Sequence, residues 1–195
     1  MPPQKIRLTG QEKLLSNVLD LPDSTVLDFW QWAFSDLRAN DLRGIFAEWL
    51  VARLLQIDQP VRDSWAAWDL ETPEGVKIEV KAAAYLQAWE QQRPSKIVFS
   101  GLQGRTWDPV QGYSESPTYN ADLYIFCLQT ETDPQRWDPL DLSQWVFYVM
   151  SRGTLAALGL KNISLQKLAK TARQCSAADL PLAVKELARG LAPVA

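Results

Sequence analysis

The pattern of apolar and polar positions divides this chain into helical flanks around a set of strands. Residues Gln11–Leu21 and Thr25–Leu37 carry apolar side chains at helical spacing, separated by Pro22-Asp23-Ser24, with Asp23 or Ser24 as the expected N-cap. Asn40-Asp41 is expected to cap a third helix over Leu42–Gln56. In it Ile45, Trp49, Ala52 and Leu55 or Gln56 recur every three or four residues and predict the buried stripe. Trp65–Glu71 and Val76–Lys81 read as two strands joined by the turn Pro73-Glu74-Gly75. Ala82–Gln92 is helical or irregular, and Lys96–Ser100 is a third strand. Residues 101–119 are a long polar loop. Ala121–Gln129 is almost continuously apolar and predicts a central strand buried on both faces. Gln144–Met150 is a fifth strand. Helices follow at Thr154–Leu158, Ser164–Cys175 (with Ser164 as N-cap) and Ala177–Arg189. The order predicts a mixed sheet with helices on its faces.

Composition narrows the chemistry. The chain has 195 residues, enough for one domain with a substantial core. It contains no histidine, which removes Ser-His-Asp and Cys-His catalysis and histidine-dependent metal sites. Carboxylates, Lys, Tyr or Ser must carry any catalysis. The net charge of -3 argues against a surface that grips nucleic acid everywhere, while leaving room for a local basic patch or a bridging metal. The start of the chain lacks the apolar core of a signal peptide, and no apolar run is long enough to cross a bilayer; a cytoplasmic protein is expected. Cys127 lies inside an apolar strand pattern and is expected to be a buried thiol rather than part of a disulfide framework. Most of the nine tryptophans are expected to be anchors in the core or half-buried.

The richest stretch is Trp68 to Lys81. Side chains alternate along a strand, so Lys77, Glu79 and Lys81 share one face, and a hairpin lets Asp69 reach the same side. Two carboxylates and an ammonium at a sheet edge make a hard-cation site beside a group that handles protons. Glu48 lies mid-helix among apolar or small neighbours. It either joins that site or forms a salt bridge with Arg43, Arg53 or another neighbour. Arg105 in the long loop, Lys96, Lys161 and the helical stripe Lys167, Lys170 and Arg173 are candidates for phosphate contact. Trp107, Tyr113 and Tyr119 mark the loop as a substrate-contacting segment or a plain connection. Asp122 reads as a strand-end cap or a further acidic ligand.

A helix with an acidic residue, then Asp69, then Glu79-Val80-Lys81 on the next strand, resembles the PD-(D/E)XK nuclease superfamily. The resemblance covers roughly Leu42–Gln129. Trp68 stands where the family often has proline. Gln87 resembles the glutamine that follows the lysine in several branches. The resemblance implies a restriction-endonuclease-like mixed central sheet flanked by helices, with extra N- and C-terminal helices, in a single domain with a core of about residues 42–150. It also implies a metal-dependent deoxyribonuclease. Asp69, Glu79, the Val80 carbonyl and Glu48 would bind Mg2+, or Mn2+. Lys81 would orient or deprotonate the attacking water, and Gln87 would position the phosphate or the water. DNA is the implied partner, and a homodimer the implied form for cutting both strands. Two other readings stay open. One is a catalytically inactive binding or assembly module on the same fold. The other makes Ser164–Arg189 a small DNA-binding or dimerisation element.

Overall fold

The computed structural model describes residues 5–16, 23–58, 61–108 and 110–191. It is a mixed α/β structure. Helix α1 (Val26–Phe34) opens on a capping box in which Thr25 and Asp28 satisfy each other's backbone N–H groups. The N-cap is therefore Thr25, one or two residues later than expected. The described part of the expected first helix is extended instead, with Lys13 bridging Thr25 and Leu14 N–H donating to Ser24 O at 3.2 Å. The rest of that helix, 17–21, lies outside the described residues.

Helix α2 (Asn40–Leu54) packs on the sheet through Arg43, Ala47, Leu50, Val51 and Ala52. This corrects the expected stripe, since Ile45 and Trp49 are exposed. The buried Arg43 displaces them. Its guanidinium donates to the carbonyls of Arg38 and Leu86 and to the side chains of Asn40 and Gln87. Asn40 thus lies inside the helix, and no side chain caps it.

The central sheet holds five strands: β1 (Leu70–Glu71), β2 (Lys77–Ala84), β6 (Leu123–Gln129), β7 (Trp145–Ser151) and β9 (Arg173–Cys175), in that spatial order. Strands β2 and β6 run parallel; every other pairing is antiparallel. The turn between β1 and β2 forms where expected, with Gly75 at φ +83° and its N–H donating to Thr72 O at 2.9 Å. Strand β1 is much shorter than expected, and β2 runs three residues further, through Ala84.

Two small sheets lie outside the main one. Strand β3 (Val98–Phe99) pairs with β8 (Ile163–Ser164), so the expected third strand does not enter the main sheet. The long loop carries a hairpin of β4 (Trp107–Asp108) and β5 (Gly112–Tyr113).

Alternation sorts the core into two layers. Ile78, Val80, Leu123, Ile125, Cys127, Phe147 and Val149 face α2 and α5 (Leu180–Arg189). Tyr124, Phe126, Leu128, Tyr148 and Met150 face the opposite side. There they meet β3, β8, α3 (Arg152–Leu158) and α4 (Leu165–Thr171). Every residue of β6 is buried, as its apolar run predicts, and Cys127 is a buried free thiol. Ile125→Ala should cost about 2–5 kcal/mol, because it empties a fully buried position between two layers. Urea denaturation checks this, and a midpoint equal to wild type would show that β6 is not the centre of the core.

The C-terminal region is part of this core rather than a separate element. Strand β9 closes the sheet edge against β7, and Leu180, Ala183 and Val184 of α5 are buried. The expected helix Ser164–Cys175 breaks after Thr171. Arg173 therefore leaves the stripe of Lys167 and Lys170 and pairs with Glu186. No described helix is long and apolar enough to cross a membrane.

Candidate active site

The hairpin register builds the site. Asp69 N–H donates to Ile78 O at 3.0 Å, which places Asp69 alongside the centre of β2. Glu79 and Lys81 point away from the Ile78–Val80 layer. They lie beside Tyr124 and Phe126, their partners in the parallel register. Lys81 Nζ donates to Glu79 Oε1 at 2.6 Å, an i, i+2 pair that only a strand brings together. Asp69 Oδ2 accepts the Val80 N–H at 2.7 Å. This bond exists because β1 ends at Leu70 on that side and leaves the β2 edge for a side chain to use.

These three side chains open into a polar cavity of about 260 Å3. Gly101, Gly104, Arg105, Asn120 and Tyr124 also line it. Gly101, at φ +66°, brings the loop backbone over Lys81; a Cβ there would stand 3.9 Å from Nζ. Arg105 thus meets the cavity, as its candidacy for phosphate contact required. Asn120 and Tyr124 were not singled out from sequence. The continuous apolar run around Tyr124 pointed only to burial. Burial raises the Tyr124 phenol to about 12, so it serves here as a neutral hydroxyl.

Burial, and after it the negative charges of Glu79 and Glu48, push the Asp69 carboxyl up to about 7. The Val80 N–H and Lys81 oppose that shift. Glu48 is therefore electrostatically part of the cluster, but its carboxylate is already held. Arg62 grips it with two hydrogen bonds of 2.5 and 2.7 Å, and this raises the Arg62 guanidinium further. Of the two sequence readings of Glu48, the salt bridge is present, with a partner fourteen residues away that helical spacing does not reveal.

Gln87 is not brought to the cluster. Its amide donates to Ala84 O at 2.9 Å and to Ser95 Oγ at 3.2 Å, and its oxygen accepts from Arg43. It fastens the end of β2 to α2. Asp122 is also elsewhere. It accepts the Lys77 N–H at 3.1 Å and pairs with Arg152 at 3.3 Å, which makes it the strand-end cap. Tyr119 packs edge-on against Tyr124 and donates to Leu160 O, whereas Trp107 and Tyr113 face solvent across the β4–β5 hairpin.

The donors suit a hard divalent cation. Among the described residues no three acidic, cysteine or histidine side chains converge as a complete cage. Mg2+ does not need one, since it binds through one or two carboxylates and keeps its waters. The mutual repulsion that raises Asp69 is the kind a cation relieves. The two backbone groups of a strand residue point to the same neighbour, so the Val80 carbonyl faces the same open edge as the Val80 N–H that Asp69 accepts. No protein-family model matches the chain, and no curated protein matches it.

Proposed function

We propose that this chain is a metal-dependent DNA endonuclease of the PD-(D/E)XK type on a restriction-endonuclease-like fold. One observation carries the reading. The Asp69 carboxylate is locked to the Val80 amide beside the Glu79–Lys81 pair, at the floor of a polar cavity that Arg105 also lines.

In this reading Asp69, Glu79 and the Val80 carbonyl hold Mg2+, and the same oxygens admit Mn2+. The ion would offset charge on the scissile phosphate and make a water more acidic. Lys81 stands against Glu79 and points into the cavity. As the ammonium that Glu79 accepts from, it orients the attacking water and adds positive charge where the pentavalent phosphate forms; to act as the base it would first give its own proton to solvent and then take the water's. Arg105, which lines the same cavity, clamps a non-bridging oxygen. Glu48, already paired with Arg62, would join the metal shell only on releasing it. Gln87 has no place in this mechanism.

The direct test is incubation of single-stranded, duplex and branched DNA with the protein in Mg2+. New ends are expected in Mg2+ or Mn2+ and none in EDTA. The absence of cleavage on every substrate, in either metal, would overturn the proposal.

A second reading, a binding module on the same fold without catalysis, is favoured by the ion pairs themselves. Lys81 and Arg62 already neutralise Glu79 and Glu48. Calorimetric titration with Mg2+ and with Mn2+ separates the two. The nuclease reading expects binding that Glu79→Ala abolishes, and the module expects the same negligible heat from wild type and variant.

A further inference from the structure

The polar cavity has a larger neighbour. Asp69 and Ala66 line both it and a second cavity of about 470 Å3. That volume falls within the roughly 300–1,000 Å3 of small-molecule sites. The chemistry of the second cavity is different. Ile45, Trp49 and Ala52 of α2 line it together with Trp68 and Leu70, so its surface is mainly apolar and aromatic.

Both indoles line the cavity. Trp68 is fixed, because its N–H donates to Glu71 at 3.2 Å and Lys77 Nζ lies 4.1 Å from its ring centroid. Trp49 is 55% exposed, so its ring is available to a ligand. Arg53 also lines the cavity and makes no salt bridge among the described residues. A guanidinium stacks on flat rings as well as pairing with anions. The acidic side chains at the same wall, Asp58 and Asp63 among them, disfavour a second phosphate there.

A nucleotide has the same two halves, an anionic phosphate and a flat, weakly polar base. The cavities that share Asp69 offer one chemistry to each. A base paired and stacked inside a duplex cannot enter such a pocket; it must first be unpaired. We propose that the Trp49–Trp68 cavity takes an unpaired base of the DNA strand whose phosphate lies at Asp69, so that this site prefers single-stranded DNA to intact duplex. The inference rests on the nuclease reading only for the placing of the phosphate.

The test uses a short fluorescein-labelled single strand carrying one 2-aminopurine, and the matching blunt duplex, in Ca2+ to hold off cleavage. Wild type is expected to bind the single strand more tightly than the duplex and to quench the 2-aminopurine. Base–aromatic stacking is worth about 1–3 kcal/mol per base, so Trp49→Ala should weaken single-strand binding roughly 5- to 150-fold and abolish the quench. Trp49→Phe, which keeps a ring, should restore most of both. Equal affinity for the two DNAs, or a Trp49→Ala affinity equal to wild type, would overturn the inference. Cleavage in Mg2+ keeps the two proposals apart. Cleavage of single strands that Trp49→Ala leaves unchanged sinks the base pocket and keeps the nuclease. Binding and quenching that depend on Trp49, with no cleavage of any DNA in Mg2+ or Mn2+, sink the nuclease and keep the pocket.

Discussion

Lys81→Ala is expected to lower Mg2+-dependent DNA cleavage by about 10²–10⁴-fold, the range that a positioned proton-transfer group supplies. The fold should survive. The Lys81 side chain is partly solvated, its ion pair among the described residues is with Glu79 on its own strand, and such partly solvated pairs contribute about 1 kcal/mol or less. Thermal midpoints of variant and wild type should therefore lie close together while the rates separate. Lys81→Arg divides the role further. Arginine keeps the positive charge but stays protonated at any working pH. If the lysine only offsets phosphate charge, Lys81→Arg retains most of the rate. If it takes a proton from water, Lys81→Arg is nearly as slow as Lys81→Ala. Single-turnover cleavage at saturating protein measures both. Wild-type rates in Lys81→Ala would remove Lys81 from the chemistry and with it the reading of the Glu79-Val80-Lys81 strand.

Asp69→Asn is expected to abolish cleavage and, at the same time, to stabilise the protein in metal-free buffer above neutral pH. The folded state holds the Asp69 carboxyl at about 7, well above its ordinary value of 3.8. The folded state thus binds a proton that the unfolded chain has released, over the window from about pH 4 to about pH 7. Stability from this group is present below that window and is lost as pH rises through it. Near pH 8 the folded state carries a charge it disfavours, at a cost on the order of 4 kcal/mol. Asparagine retains an oxygen to accept the Val80 N–H and drops the repulsion with Glu79 and Glu48. It also loses attraction to Lys81 and Arg62, which trims the gain. The expected result is a rise of several degrees in the melting temperature at pH 8, at about 2–4 °C per kcal/mol for a chain of this size. The gain should vanish near pH 4. On the nuclease reading, adding Mg2+ should raise the melting temperature of wild type and leave Asp69→Asn unmoved, because the variant would lack a ligand for the ion. A variant less stable than wild type at pH 8 would show that the Asp69 charge is satisfied rather than strained.

These expectations rest on a site whose parts were unequally visible in the chain. Strands β2, β6 and β7 and the Pro73-Glu74-Gly75 turn were legible because alternation, continuous apolar runs and turn residues are local signals. Ser164 was legible as an N-cap for the same reason. Helix α4 was read too long because Leu165 to Cys175 keeps helical spacing; the free edge of β7 then recruits Arg173–Cys175 as a strand. The stripe of α2 was misread because a buried arginine with several acceptors is invisible to a hydrophobic pattern. Gln87 was drawn toward the site by its distance from Lys81 in sequence. The end of β2 instead turns it toward Arg43 and Ser95.

That the chain is a mixed α/β protein without histidine chemistry, and that Glu79 and Lys81 share one strand face, could be read from the residues alone. Both follow from composition and from the two-residue period of a strand, which need no partner. The tertiary structure decided the rest. It set Asp69 against the Val80 amide, tied Glu48 to Arg62, and folded a loop bearing Gly101 and Arg105 over Lys81. It also stood Trp49 and Trp68 around a second cavity on the other side of Asp69. Those contacts join residues far apart in the chain, and burial and neighbouring charge exist only once the sheet has closed. The state of the Asp69 carboxyl, on which the proposed chemistry turns, is therefore a property of the fold.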